Sequence, residues 1–418
     1  MRLLLLICLA LLAGCTSNPA REANRDTLIL VSIDGFRADY LQRGRTPALA
    51  ALARDGVRAE SLRPAFPTLT FPNHYTLVTG LLPDHHGIVH NRMTDPASGK
   101  RFVYKDRASA SDPAWWGGEP LWVGAERQGV RSATMFWPGS DVEIAGTRPG
   151  DWLPFDASMT PEQRVDQLLR WLDQPGERRP RFLTLYFEQV DHAGHRHGPD
   201  SPELDDALAE VDAALARLVD GLRRRGAAEH TNLVIVSDHG MIATRSELRS
   251  YLDDVIRLDD VRVVNYGIVA GVEPLPGKTA SVEQALLAPH PHMQCWRKSE
   301  LPERFRYGTH PRIPALLCLA APGGTVTSRA YERDGGHFSA GEHGYDNDIP
   351  EMRALFVAHG PAFGRGVVVP PIASVDVYPL LAHVLGIRAA ANDGDFTRVA
   401  PVLRDSARRT SSMATEAR

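Results

Sequence analysis

Lysine is nearly absent from this chain of 418 residues: Lys100, Lys105, Lys278 and Lys298 are all it has, so 43 of its 47 basic side chains are arginine. The arginine excess sits beside many alanines and reads as codon bias, so it is given no functional weight. With 51 acidic residues the net charge is −4, and no global basic field invites a nucleic-acid polymer. Cysteine is equally scarce, with Cys8, Cys15, Cys295 and Cys318, too few for a disulfide framework. There is no internal repeat and no low-complexity tract. A composition of 43% hydrophobic and 23% charged residues excludes a mainly disordered or collagen-like chain. The length fits one large α/β domain with insertions, or two to three domain-sized units.

The one long apolar run, Leu3 to Ala13, follows Arg2 and is too short for a transmembrane helix. Small residues come next, the layout of a secretory signal. Leu12-Ala13-Gly14-Cys15 resembles the bacterial lipobox, in which the cysteine becomes a lipidated amino terminus. The expectation is a signal peptide over 1–14, a lipid anchor at Cys15 that ties the protein to a membrane, and a polar tether over 16–26. An exported lipoprotein, periplasmic or at the cell surface, follows; Thr16 in place of Asp favours the outer membrane. A plain signal peptide with an incidental cysteine is the alternative. An oxidising compartment permits a Cys295–Cys318 bridge, and two small buried thiols fit the sequence equally well.

Four apolar, β-branched runs stop abruptly at polar residues: Thr27–Ile33, Arg181–Phe187, Asn232–Val236 and Ala354–Ala358. Such continuously apolar strands suit a sheet covered on both faces. Between them lie helical patterns at Pro47–Arg54, Pro161–Trp171, Pro202–Arg225 and Asp376–Leu385; three begin at proline and three close at Gly56, Gly226 and Gly386. Alternating strand and helix predicts an α/β fold with a mainly parallel central sheet and helices on both faces. Functional groups in such sheets gather beyond the carboxyl ends of the strands. A catalytic domain is expected over 27–390. It includes an insertion at about 94–118, which reads as a long loop, and a small accessory lobe at about 261–320. A carboxy-terminal tail over 391–418 follows, frayed from Asp405 onward.

The strand ends carry the chemistry. Asp34 ends a strand in SIDGFR, Asp191 and His195 sit four apart in VDHAGH, Asp238 and His239 are adjacent in SDHGM, and His343 lies in GEHGYDN. An aspartate at a strand end is ordinarily a cap, and a histidine in a glycine-rich turn is ordinarily structural. As an ordered set, mixed carboxylate and imidazole donors suit Zn²⁺, and six of them are too many for one tetrahedral ion. A nucleophile candidate is Thr70 in PTLTFPNH, where Pro72 fits an early helical position and Thr70 falls at or beside the N-cap. The helix dipole and free N–H groups there favour an alkoxide, and a metal would lower the hydroxyl pKa further. Without the ligand set, Thr70 is better read as a helix cap.

The segments SIDGFRADYL, PTLTFPNHYTLVTGLLPDHHGIVHN, FWPGSDV, DHAGHRHGP, SDHGM and HGYDN, in this order, resemble the nucleotide pyrophosphatase/phosphodiesterase family of the alkaline phosphatase superfamily. The similarity runs from about Thr27 to Leu385 and is that of a bacterial single-domain member. It implies an alkaline-phosphatase-like fold with two zinc ions, one held by Asp34, Thr70, Asp238 and His239, the other by Asp191, His195 and His343. It implies that Thr70 attacks phosphorus and that Asn91 binds a non-bridging phosphate oxygen, aided by a backbone N–H near Thr70. Phe71 and Phe155 match positions that stack the nucleobase. The implied substrate is a small nucleotide or phosphodiester, cleaved to a nucleoside 5′-monophosphate, with no protein partner. His74, His85, His86, His192 and His197 share these motifs without matching ligand positions, and Trp115, Trp116 and Trp122 read as packing residues.

The sequence also departs from the family. The Cys-rich and nuclease-like domains of many eukaryotic members are missing, so a catalytic body alone is expected. Gly117 follows Trp115-Trp116 where some relatives place lysine. Four other readings are weighed. A sulfatase is disfavoured because the Thr70 region lacks a Cys/Ser-x-Pro-x-Arg setting, and a phosphomonoesterase because no third-metal or cationic set is evident. A lysophospholipid-type phosphodiesterase shares the two-zinc core. A non-catalytic zinc-binding lipoprotein is the non-enzymatic alternative.

Overall fold

The computed structural model describes residues 26–336 and 339–405. The signal segment, Cys15 and the tether up to residue 25 lie outside the described residues, as do residues 406–418. The spine is an eight-stranded sheet built from β1 (Thr27–Ile33), β2 (Val57–Ala59), β3 (Ser132–Met135), β4 (Asp151–Leu153), β5 (Phe182–Phe187), β6 (Thr231–Val236), β7 (Phe356–His359) and β8 (Val367–Val369). Their spatial order is β8-β2-β7-β6-β1-β5-β3-β4. β1 is central and pairs in parallel with β5 and β6, while β7 alone runs antiparallel to its neighbours.

The run TLILVSI is buried throughout because both faces of the sheet are covered. Leu28 and Leu30 enter one core with α2 (Thr70–Thr79) and α6 (Ser374–Leu385). Ile29, Val31 and Ile33 enter the other, with α1 (Pro47–Asp55), α3 (Pro161–Leu172) and α5 (Pro202–Arg224). Burying each such side chain contributes about 1.5–3 kcal/mol. Proline at the first turn and side-chain caps set the helix starts: Thr160 and Gln163 form a reciprocal capping box before α3, and Ser201 caps α5. The run expected as a strand from Ala354 begins instead at Phe356, because the Ala354 N–H and carbonyl are taken by Leu62 outside the main ladder.

Residues 261–320 contain a separate antiparallel sheet, in the order Val261–Asn265, Val269–Pro274, Leu316–Ala320, Met293–Arg297, with its own apolar core. Cys295 and Cys318 face each other across its last two strands and form a disulfide. The stretch read as a loop from Thr94 is more ordered than its Pro, Gly and Ser content predicts. Arg92–Thr94 pairs with Arg101–Val103, and short helical turns follow at Arg107–Ala110 and Pro113–Trp115. Ahead of the segment expected to fray, residues 391–404 pack on the body: Val399, Val402 and Leu403 are buried, and Asp395 N–H donates to Asp376. No helix among the described residues is long and apolar enough to cross a membrane.

Candidate two-metal site

The carboxyl ends of β1, β5 and β6 converge. Asp34 follows β1 and Asp238 follows β6, while α4 (Gln189–His197), starting just after β5, carries Asp191 and His195 on adjacent turns of one face. Gly35 permits the approach: a Cβ there would lie 2.9 Å from Asp191 Cα, and its φ of +68° suits glycine. Asp34, Asp238 and His239 offer ligand atoms within 4.8 Å of one another, and Asp191, His195 and His343 do the same. The two groups adjoin where the His239 and His343 rings stack at 3.5 Å.

Hydrogen bonding fixes the imidazole tautomers. Nδ1 of His195 lies 2.8 Å from the Gly341 carbonyl, that of His239 2.9 Å from the Gly240 carbonyl, and that of His343 2.8 Å from the Thr68 carbonyl. A carbonyl only accepts, so each Nδ1 carries the hydrogen, and in the neutral rings each Nε2 presents a lone pair. Those nitrogens face carboxylates: His239 Nε2 is 2.9 Å from Asp238 Oδ2, and His195 Nε2 is 3.4 Å from Asp191 Oδ1. Asp34 Oδ1, Asp191 Oδ1 and Asp238 Oδ2 are buried without any hydrogen-bond donor. Three orphaned carboxylate oxygens opposite three imidazole lone pairs need positive charge between them, so the residues present fit two divalent cations.

Burial, then the neighbouring Asp238 and Asp191, push the Asp34 carboxyl well above its ordinary value. Burial would raise Asp238 too, but the imidazoles of His239 and His74 outweigh it and hold Asp238 well below the carboxylate range. For His195, burial disfavours the charged ring, yet Asp191 overrides it and raises the pKa. The same contest at His239 is won by Asp238. His343, buried beside two imidazoles, is held well down and stays neutral.

Thr70 is the first residue of α2, and its Oγ1 lies 3.3 Å from His239 Nε2. Pro72 costs no hydrogen bond at this early position, because the first N–H groups of a helix have no partner within it. Asn73 holds the preceding loop through bonds to Ala65, Pro67 and Leu69, and so fixes Thr70. Asn91 Oδ1 accepts from Phe71 N–H at 3.0 Å, which directs its Nδ2 donors away from the main chain. The Phe71 N–H, next to Thr70, is thus engaged by Asn91.

Asp34, Thr70, Phe71, Asn91, Asp191, His195 and His343 line one cleft of about 1260 Å³, while Asp238 and His239 are fully buried. Phe71 packs edge-on against Phe102 and Tyr104, and Phe155, 51% exposed, stands against Phe136 and Tyr186. Trp116 reaches the cleft wall although it is buried. His74 stands outside both groups and braces the site: its Nδ1 lies 2.9 Å from the Thr70 carbonyl and 3.2 Å from Asp238 Oδ2, and its Nε2 2.8 Å from Ser32 Oγ. Sequence reasoning missed Tyr186, whose hydroxyl donates to Asp34 Oδ2 at 2.6 Å, because inside the apolar run FLTLYF it reads as core. It also missed the buried pair of Arg164 and Glu188, separated by 24 residues with no local signal.

A mainly parallel α/β sheet with paired Asp/His groups beyond its strand ends is the layout of a metal-dependent hydrolase. The sequence matches the family described as Type I phosphodiesterase / nucleotide pyrophosphatase over residues 28–346. The chain belongs to that family and is a hydrolase of the nucleotide pyrophosphatase/phosphodiesterase class. It is similar to an uncharacterised pyrophosphatase/phosphodiesterase of Schizosaccharomyces pombe, 37% identical over 94% of this chain and 84% of the relative. Ectonucleotide pyrophosphatase/phosphodiesterase family member 1 of Mus musculus is 39% identical over 90% of this chain, which spans only 42% of that protein. Among solved structures, murine ectonucleotide pyrophosphatase/phosphodiesterase 5, an inactive threonine-to-alanine variant in complex with AMP, superposes with a TM-score of 0.86. The match is at 34% identity and covers 91% of this chain and all of that one.

Proposed function

We propose that the chain hydrolyses nucleotides and nucleotide diesters to nucleoside 5′-monophosphates through a covalent threonine ester. The observation that carries this is the set of three orphaned carboxylate oxygens beside the Thr70 hydroxyl. Asp34, Thr70, Asp238 and His239 would hold one cation, and Asp191, His195 and His343 the other. The mixed carboxylate and imidazole donors favour zinc. Two such ions supply Lewis acidity at the phosphate and lower the pKa of a bound hydroxyl or water.

The remaining steps belong to the chain's own residues. Thr70 Oγ1 forms a bond to phosphorus as the bond to the leaving group breaks, and water then cleaves the threonine ester to free the monophosphate. Asn91 Nδ2 donates to a non-bridging phosphate oxygen, where charge develops without proton transfer. Phe71 and Phe155 offer faces to the nucleobase, which every base shares, so base selectivity is modest. The AMP bound by the murine relative supports this use of the cleft. The disulfide supports residence outside the reducing cytoplasm, and we extend this to a bacterial lipoprotein anchored through Cys15 in the outer membrane.

The test compares hydrolysis of a thymidine 5′-monophosphate p-nitrophenyl ester with that of a lysophosphatidylcholine analogue by zinc-loaded protein. Preference for the nucleoside ester, with thymidine monophosphate as product, supports the reading. Preference for the lipid analogue would move the activity to the lysophospholipid class, and turnover of neither would sink it.

A further inference from the structure

Arg164, on α3, is a cation with no exposure at all, packed against Phe136, Tyr186 and Glu188, which line the cleft. Its guanidinium uses every face. Nε donates to the Met159 carbonyl at 2.9 Å, and one terminal nitrogen donates to the Tyr186 carbonyl at 2.9 Å. Both terminal nitrogens bond the Glu188 carboxylate, Nη2 at 2.7 Å. The flat face lies over the Phe136 ring, 4.9 Å from guanidinium carbon to centroid. A buried ion pair of this kind is weak evidence for stability, since apolar residues of similar size often serve as well. Its geometry suggests a different use.

Phe136 follows β3 with a φ of +63°, a conformation that a bulky residue keeps only where its neighbours over-determine it. Phe136 and Phe155 meet edge-to-face at 5.5 Å, and Tyr186 and Phe155 do so at 6.0 Å. Phe155 is half exposed and has no hydrogen-bonding side chain, so its attitude depends on ring contacts such as these two. Arg164 holds both of them, Phe136 by its face and Tyr186 by its carbonyl. Through Glu188, the N-cap residue of α4, it also fixes the start of the helix that carries Asp191 and His195.

We infer that Arg164 is a positioning residue for substrate selection: it sets the Phe136–Phe155 wall at a fixed offset from the metal-bearing helix, and so makes the enzyme favour esters that carry a nucleoside. This rests on the function proposed above. Arg164 touches no substrate, and its contribution falls on KM for esters with a base rather than on bond cleavage.

The test uses the full chain loaded with zinc and two esters, thymidine 5′-monophosphate p-nitrophenyl ester and bis(p-nitrophenyl) phosphate, which has no nucleoside. The double variant Arg164→Met/Glu188→Gln removes the pair without leaving a buried charge. It should raise KM for the nucleoside ester and lower the ratio of kcat/KM between the two esters about tenfold, part of the worth of one base–aromatic stack. In a Phe155→Ala background the same double change should leave that ratio where Phe155→Ala alone puts it, since the two act through one ring. Arg164→Lys keeps the charge but not the planar fork, and reads the same ratio should the double variant not fold. An equal loss on both esters, or effects that multiply with Phe155→Ala, would overturn the inference. Wild-type protein inactive on both esters would instead refute the proposed function itself.

Discussion

Replacing Tyr186 with phenylalanine removes a single oxygen and leaves a ring of the same shape between His74 and Phe155. That oxygen donates the 2.6 Å bond to Asp34 Oδ2, and both residues are buried. A hydrogen bond to a charged group contributes about 1.5–3 kcal/mol. Loss of a partner that orients a metal ligand typically costs about 10–100-fold in affinity, which is about 1.4–2.7 kcal/mol, so the two estimates agree. The direction follows from charge. Without its donor the Asp34 carboxylate, already raised by burial and by Asp238, competes less well for a cation against a proton. Zinc affinity measured by competition with a chromophoric chelator should fall about 10–100-fold. Initial rates at saturating zinc should largely recover. Unchanged affinity would show that the bond does not orient Asp34. A rate deficit that saturating zinc leaves in place would mean that the hydroxyl acts on substrate instead.

Thr70→Ala should lower turnover by more than about a thousandfold while zinc content stays near normal, since Asp34, Asp238 and His239 remain; an active alanine variant refutes the nucleophile assignment. Prolonged chelation should inactivate the protein and lower its melting temperature. Loss of a ligand present at about a thousand times its dissociation constant costs about 4 kcal/mol, or about 5 °C for a chain of this size. Calorimetry that shows no shift would argue against resident metal. Burial holds the His86 imidazole down to about 3. Its folded pKa lies below the unfolded value, so its share of stability is complete above about pH 6.5 and drains away as pH falls toward 3, with about 2 kcal/mol gone at pH 5. Urea titrations at pH 7 and pH 5 should show that loss in wild type and a flatter response in His86→Gln, and equal slopes would discount His86. Phe155→Ala should raise KM for nucleoside esters about tenfold or more with little change in kcat, from loss of one stacking face.

The parts legible in the sequence were those that short-range pattern controls. Strands buried on both faces announce themselves as unbroken apolar runs, and Thr27–Ile33 is found with those bounds. Asp34, Asp238 and His239 stand out because they follow such runs at the carboxyl end, Asp191, His195 and His343 only as members of an ordered set of motifs, and the structure brings the six into two adjoining groups. Pairings between distant side chains were invisible. Arg164 looks like any polar position of an amphipathic helix until α3 packs against β5, and Tyr186 looks like core until its hydroxyl is seen to meet Asp34. The hairpin of Arg92–Thr94 with Arg101–Val103 lies in strands too short for periodicity to register. Packing of Val399 and Val402 against the body rests on contacts with residues distant in sequence, which local pattern does not register.

Each of the three imidazoles has its Nδ1 steadied by a main-chain oxygen. The reaction centre is therefore specified by the route of the polypeptide, whereas the cleft walls at Tyr104, Phe136 and Phe155 belong to stretches that supply no ligand. The two parts are separable as engineering problems. A library confined to those walls would sample new leaving groups and new bases on an unaltered reactive core, whereas insertions or deletions near Thr68, Gly240 or Gly341 would be expected to disable every such variant alike.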